Sequence, residues 1–196
     1  MKKTIAMVLL FLALFLSGCT TVSGGNYTVA AVGIEKANED YKIFIETVVV
    51  NSEDNGRDIE KIVFEGSGAT LKKASENAFK QSARALSFGH TAVIVLGDSV
   101  TESQTDDILD FCLKDLKTTV SVGVVRTENV KELLEKRSFS SVAVGYDIAS
   151  LLETQHKEQN KDFANRLYQI KPLLSYEKFI ELPYFTIVND RVSFGG

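Results

Sequence analysis

Residues 92–96 read Ala-Val-Ile-Val-Leu, with no polar side chain, and the run stops at Gly97-Asp98-Ser99. A strand that is apolar at every position has no wet face, so it needs a sheet covered on both sides. The neighbouring patterns supply the rest of such a fold. Residues 27–33 are extended, and 41–50 alternate with Tyr41, Ile43, Ile45, Thr47 and Val49 on one face, which predicts a hairpin turning through 36–40. Residues 51–58 form a polar, Gly-containing loop, and 61–64 a short third strand.

Downstream, Leu71, Ala74, Ala78, Phe79, Ala85 and Leu86 fall in one stripe and predict a helix over 70–86. Thr105 is the expected N-cap of a second helix reaching Leu116, with Asp106 and Asp107 where the helix dipole favours negative charge. Its buried stripe is Ile108, Leu109, Cys112, Leu113 and Leu116. A strand over 120–125 and helices over 130–137, 147–156 and 162–170 follow, the last stopping before Pro172. Strands over 179–182 and 184–188 close the chain, with Asn189 and Asp190 turning into a strand over 191–194. Interleaved strands and helices of this kind predict an α/β (α+β) domain with a mixed sheet and packed helices.

The amino terminus carries a separate signal. Lys2 and Lys3 precede an apolar run over 5–16, shorter than the about 20 residues a membrane-spanning helix needs, so it reads as the hydrophobic region of a secretory signal peptide. Leu16-Ser17-Gly18-Cys19 follows at once. These residues form a lipobox, in which small side chains admit a peptidase that cuts before a lipid-modified cysteine, and Cys19 is the expected lipidation site. Acyl chains on its thiol and amine give the two or more hydrophobic anchors that stable membrane attachment requires. Residues 20–26 are Thr, Ser, Gly and Asn with one Val, too polar to pack. The expected organisation is a lipoprotein signal peptide over 1–18, a lipidated tether over 19–26 and one folded domain over 27–196, which sits on a membrane without crossing it. Cys112 is the only cysteine besides the lipidated Cys19, so no intrachain disulfide is expected.

Charge removes one class of partner. The formal charge is −4 and no basic cluster stands out, so a nucleic-acid surface has no electrostatic support. Gly97-Asp98-Ser99 is similar to the opening of GDSL or SGNH serine esterases, with Ser99 as nucleophile. That chemistry needs a histidine base near the C-terminus and a Gly-x-Asn-Asp block before it. His90 precedes Ser99, His156 with Glu153 three residues earlier lies in a helical segment, and Asn189-Asp190 follows His156, so the order is reversed. The simpler reading is a strand ending in a polar turn. Glu65 to Lys73, EGSGATLKK, lacks the spacing of a phosphate loop, and its Gly and Ser read as lead-in to a helix. Cys112 reads as a buried structural thiol. Two separated histidines and one free thiol make no zinc site. No catalytic residue, cofactor site or metal site is expected.

Several blocks in order carry a family resemblance: VAAVGIEK, YKIFIETVVV, then VFEGSGATLKKASENAFKQSARALSFGHTAVIVLGDSV, then ILDFCLKDLKTTVSVGVV and the closing FTIVNDRVSFGG. Together they resemble the N-terminal domain of the Ger(x)C lipoproteins, the C subunits of spore germinant receptors. Phe88, Gly89, His90 and the Gly97-Asp98 pair match that signature, and Lys114 stands where arginine is usual. Thr-Thr-Val-Ser-Gly occupies the place of the family's Trp-Asp-x-x-Glu-like stretch behind the cysteine, and family members continue into further α/β domains. The resemblance implies a lipoprotein on the outer face of the inner spore membrane, without an enzymatic role, working with two integral membrane subunits, A and B, that respond to small nutrients.

Overall fold

Three long strands pair antiparallel in sequence order: β1 (Tyr27–Ala37), β2 (Asp40–Glu53) and β3 (Gly56–Gly68). The computed structural model describes residues 26–53, 56–138, 141–159, 165–176 and 180–195. The first turn closes with Ala37 opposite Asp40 and Asn38 at a φ of 55°, a conformation asparagine tolerates. The β2 to β3 pairing continues to Glu53 opposite Gly56. Most of the expected loop over 51–58 is therefore strand. This end of the hairpin extends past the start of β1, where Thr28 opposes Val48.

The register of β1 shifts between Val29 and Ala31. This bulge at Ala30 resets the alternation, so Val29 shares a face with Val32 and Ile34 while Ala31 looks the other way. β5 (Val93–Gly97) then runs parallel to β1, with Ala31 opposite Val93 and Ile34 opposite Leu96, and β6 (Gly123–Thr127) runs parallel to β5. The sheet order is β3-β2-β1-β5-β6, with the short β4 (Leu86–Ser87) beside the start of β1. All five residues of β5 are buried, as the apolar run requires.

Each face of the sheet has its own core. Ile34, Ile43, Ile45, Ile94 and Leu96 pack under α1 (Leu71–Phe79), α2 (Glu102–Lys114) and α5 (Leu167–Leu174). Phe44, Val93, Val95 and Val125 pack under α3 (Val130–Glu135), α4 (Val144–Gln159) and a hairpin of β7 (Phe185–Val188) and β8 (Arg191–Phe194). Each fully buried aliphatic side chain contributes about 1.5–3 kcal/mol. The α+β class with a mixed sheet is as expected.

Some boundaries differ, for physical reasons. The helix expected to Leu86 ends at Phe79, because the N–H of Tyr27 donates to the carbonyl of Ala85 at 2.9 Å and Leu86 pairs with Tyr27 as strand. The N-cap of α2 is Thr101. Its N–H donates to Oε1 of Gln104 at 3.1 Å, while the Thr105 hydroxyl lies inside the helix and donates to the Thr101 carbonyl. Val120 is exposed, and the strand expected from there starts at Gly123. The helix expected over 162–170 is α5, and it contains Pro172. A proline at the sixth helical position removes one bond, to the carbonyl of Tyr168, and buried Leu167 and Ile170 hold the helix regardless. Residues 180–182 are not strand, and Phe179 lies outside the described residues. The β7 to β8 turn is as expected, with Asn189 and Asp190 at φ 50° and 63°.

Candidate functional site

The carboxyl ends of β1, β5 and β6 meet at one end of the sheet, the place where open α/β sheets most often hold ligands. Ser99 lies there, and its Oγ accepts the N–H of Lys36 at 2.8 Å. The neighbouring groups are also committed to the turn. The N–H of Asp98 donates to the Thr127 carbonyl at 3.0 Å, and that of Val100 to the Gly97 carbonyl at 2.9 Å. The Tyr184 hydroxyl donates to Oδ2 of Asp98 at 2.8 Å, and the Arg126 guanidinium donates to the Val100 carbonyl at 3.1 Å. Burial, then the bond to Asp98, push the Tyr184 hydroxyl up to about 12.

Among the described residues, the Lys36 N–H is the group bonded to Ser99 Oγ, and the chain places neither histidine backbone beside it. His90 is exposed and precedes β5, so the strand's five residues, roughly 15 Å or more, separate it from Ser99. His156 falls on α4 one turn past Leu152, which borders Gly123 at the start of β6, again the far end. Asn189 and Asp190 form the β7 to β8 turn. The structure does not bring these parts together.

Two carboxylates on the first hairpin have a different task. Oε1 of Glu35 accepts the N–H of Val130 at 2.6 Å, at the start of α3, where Oδ1 of Asn129 also takes the N–H of Glu132. Glu46, fully buried on β2, accepts the N–H of Val144 on Oε1 at 2.8 Å and of Gly145 on Oε2 at 2.7 Å, at the start of α4. Lys61 Nζ lies 3.5 Å from Glu46, donates to the Leu134 carbonyl at 2.7 Å and also reaches the carbonyl of Lys136. Burial nevertheless raises the Glu46 carboxyl above its ordinary value, against the bonds from Gly145 and Val144 and the charge of Lys61. This is helix capping by anions at helix N-termini. None of Glu35, Glu46, Lys61 or Tyr184 was expected as a key residue.

The remaining candidates resolve as packing. A Cβ at Gly66 would overlap the backbone of Ala74 and Ala78, so the glycine of EGSGATLKK allows α1 to lie against β3. Thr70 caps that helix, its Oγ1 accepting the N–H of Lys73 at 3.1 Å. Cys112 is fully buried, and burial pushes its thiol up to about 12, which suppresses the nucleophilic thiolate. Among the described residues no three His, Cys, Asp or Glu side chains are placed to hold a metal ion. A cleft of about 150 Å³ separates α4 from α5, and Glu153 and Arg166 in its wall pair with each other at 3.6 Å.

The matched signature is structural in the same sense. Phe88 is buried 5.9 Å from the ring of Phe79, and His90 is exposed beside it. Tyr27 stacks on Phe64 at 6.2 Å beneath the Arg84 guanidinium, and so ties the start of β1 to β3. Cys19 and the expected signal peptide over 1–18 lie outside the described residues, among which no helix is long and apolar enough to cross a membrane.

Residues 27–187 match the family model described as the spore germination protein N-terminal domain. No curated protein and no solved structure matches the chain.

Proposed function

The chain belongs to the spore germination protein N-terminal domain family, and from that membership we propose that it is a membrane-anchored, non-enzymatic lipoprotein subunit of a spore nutrient germinant receptor. A role in germination comes with the family. The observation that carries the finer reading is positional: the family match starts at Tyr27, directly behind a polar tether and the lipobox cysteine Cys19. Cys19 is the lipid-bearing residue, and the domain stands on the outer face of the inner spore membrane beside two integral membrane subunits, A and B. Its contribution is binding and assembly. Supporting this, the polar groups around Ser99 serve turns and those of Glu35 and Glu46 serve helix caps.

Two measurements test the reading. A palmitate analogue fed during sporulation should label the protein and fail to label a Cys19→Ala variant. Pull-down from detergent-solubilised spore membranes should recover the two membrane subunits with it. Persistent labelling of the variant removes the anchor, and consistent absence of both subunits removes the receptor role.

A further inference from the structure

The two edges of the main sheet are finished differently. β6 is closed, because Val124 donates its N–H to Asn165, Leu167 donates to Val122 and Arg126 donates to Pro183, at 2.8–3.0 Å. β3 is the opposite edge. Near α1 it is capped: the side-chain amide of Asn77 donates to the Ser67 carbonyl at 2.8 Å, and that of Gln81 to the Glu65 carbonyl. Both carbonyls point away from β2. The register runs without a shift from Gly68 to Gly56, so the backbone groups of Val63, Lys61 and Ile59 point the same way by the two-residue alternation of a strand. Among the described residues, nothing bonds to the N–H or C=O of these three.

Sheet edges are ordinarily blunted by an outward lysine, a proline or a bulge. Residues 59–63 have none of these. The single lysine there, Lys61, is turned towards Glu46 and the end of α3. Beside it Ile59 is 43% exposed, directly across from Val50, which is 52% exposed.

Charge selects the occupant. The two-fold antiparallel register that matches all three free residues between two copies sets Glu60 of each against Ile62 of the other, so neither exposed carboxylate meets a cation. One step towards the hairpin tip sets Glu60 against Glu60. One step the other way runs Ile59 onto Glu65, whose carbonyl Gln81 already holds. Like charges directly opposite destabilise a pair. A foreign strand with lysine or arginine opposite exposed Glu60 meets no such conflict.

We propose that the free edge of β3, residues 59–63, takes an extended segment of another polypeptide as an added strand, with basic residues opposite Glu60 and apolar ones opposite Ile59 and Val63. This inference does not depend on the receptor reading. The test is amide hydrogen exchange on the full chain in detergent with a synthetic peptide of alternating valine and lysine. Exchange at Ile59, Lys61 and Val63 should slow by about tenfold or more. Ile59→Pro removes an outward N–H and no bond to β2, so it should keep the fold and lose the slowing at Lys61 and Val63. Glu60→Lys should weaken it several-fold. No slowing, equal slowing with an alternating valine and glutamate peptide, or slowing without peptide alongside a two-copy mass in sedimentation would each overturn the proposal.

Discussion

Glu46 and Gly145 are 99 residues apart, yet the carboxylate of the first receives the backbone N–H of the second at 2.7 Å. Glu35 and Val130 repeat the arrangement over 95 residues at 2.6 Å. Both acids come from the β1 to β2 hairpin and both helices lie on one face of the sheet, so the hairpin sets where that layer begins. A carboxylate at a helix N-terminus satisfies orphan N–H groups and meets the positive end of the dipole.

Glu46→Ala should therefore be among the most damaging single substitutions outside the aliphatic core. It leaves two buried N–H groups without an acceptor and Lys61 without its counter-charge, a loss of about 3–5 kcal/mol. Glu46→Gln keeps one acceptor but turns an NH₂ towards the second N–H, and should lose about 1–3 kcal/mol. Lys131→Ala, which breaks the exposed pair with Glu65, should lose the least of the three, because solvent screens that pair. Urea midpoints in that order are the check.

The same carboxyl gives a sign for pH dependence. Its folded value is raised above 4.5, so just above that pH the native state holds a proton that the unfolded chain has released. Its contribution is full below the unfolded value and lost as pH rises through the folded one. Unfolding free energies of wild type and Glu46→Gln measured across this window should converge towards acid only if the direction is opposite. The expected result is a wild-type advantage that shrinks as pH increases.

Gly145 has no room for a side chain. A Cβ there would stand 2.8 Å from the Ala30 carbonyl oxygen and 2.8 Å from the Ala31 Cβ, at the bulge of β1. Alanine raises helix propensity, yet Gly145→Ala should destabilise by about 1–3 kcal/mol because α4 must lift off the sheet. A higher thermal midpoint in the variant would contradict that packing.

The parts of the fold legible in the sequence were those whose cause is local. Residues 92–96 announced a strand covered on both faces, and Asn189-Asp190 announced a tight turn, since each signal lies in the residues themselves. Leu86 was misread because an apolar residue completing a helical stripe also suits a strand, and only pairing with Tyr27 decides between them. Thr101 and Thr105 are equivalent caps by composition; Gln104 three residues on favours the first. Glu46 was invisible as a cap. Within IFIETVVV it is one acid in an apolar strand, and the N–H groups that justify it arrive from α4.

Cys112 should behave as part of the core. In a Cys19→Ala background it is the sole thiol, and native protein should resist alkylation at pH 8, with labelling appearing only as denaturant unfolds the chain. Its thiol is raised from 9.0 to about 12, so its contribution is complete below pH 9 and lost as pH rises towards 12, on the order of 4 kcal/mol in all. Cys112→Ala pays a cavity cost at neutral pH but should lose stability less steeply above pH 9. Equal slopes in the two proteins would remove the buried-thiol account.

Ser99→Ala separates a turn residue from a nucleophile. The hydroxyl accepts one exposed bond, from the N–H of Lys36, so its loss should lower stability by less than about 1 kcal/mol. Tyr184→Phe, which unties Asp98 from β7, should do comparable damage at the same end of the sheet. If Ser99 serves only the turn, hydrolysis of a short-chain acyl ester stays at the solvent rate in wild type and in Ser99→Ala alike. Turnover in the wild type that disappears in Ser99→Ala while the urea midpoint stays put would instead require a base to approach Ser99 from outside its present surroundings, since both histidines lie towards the other end of the sheet.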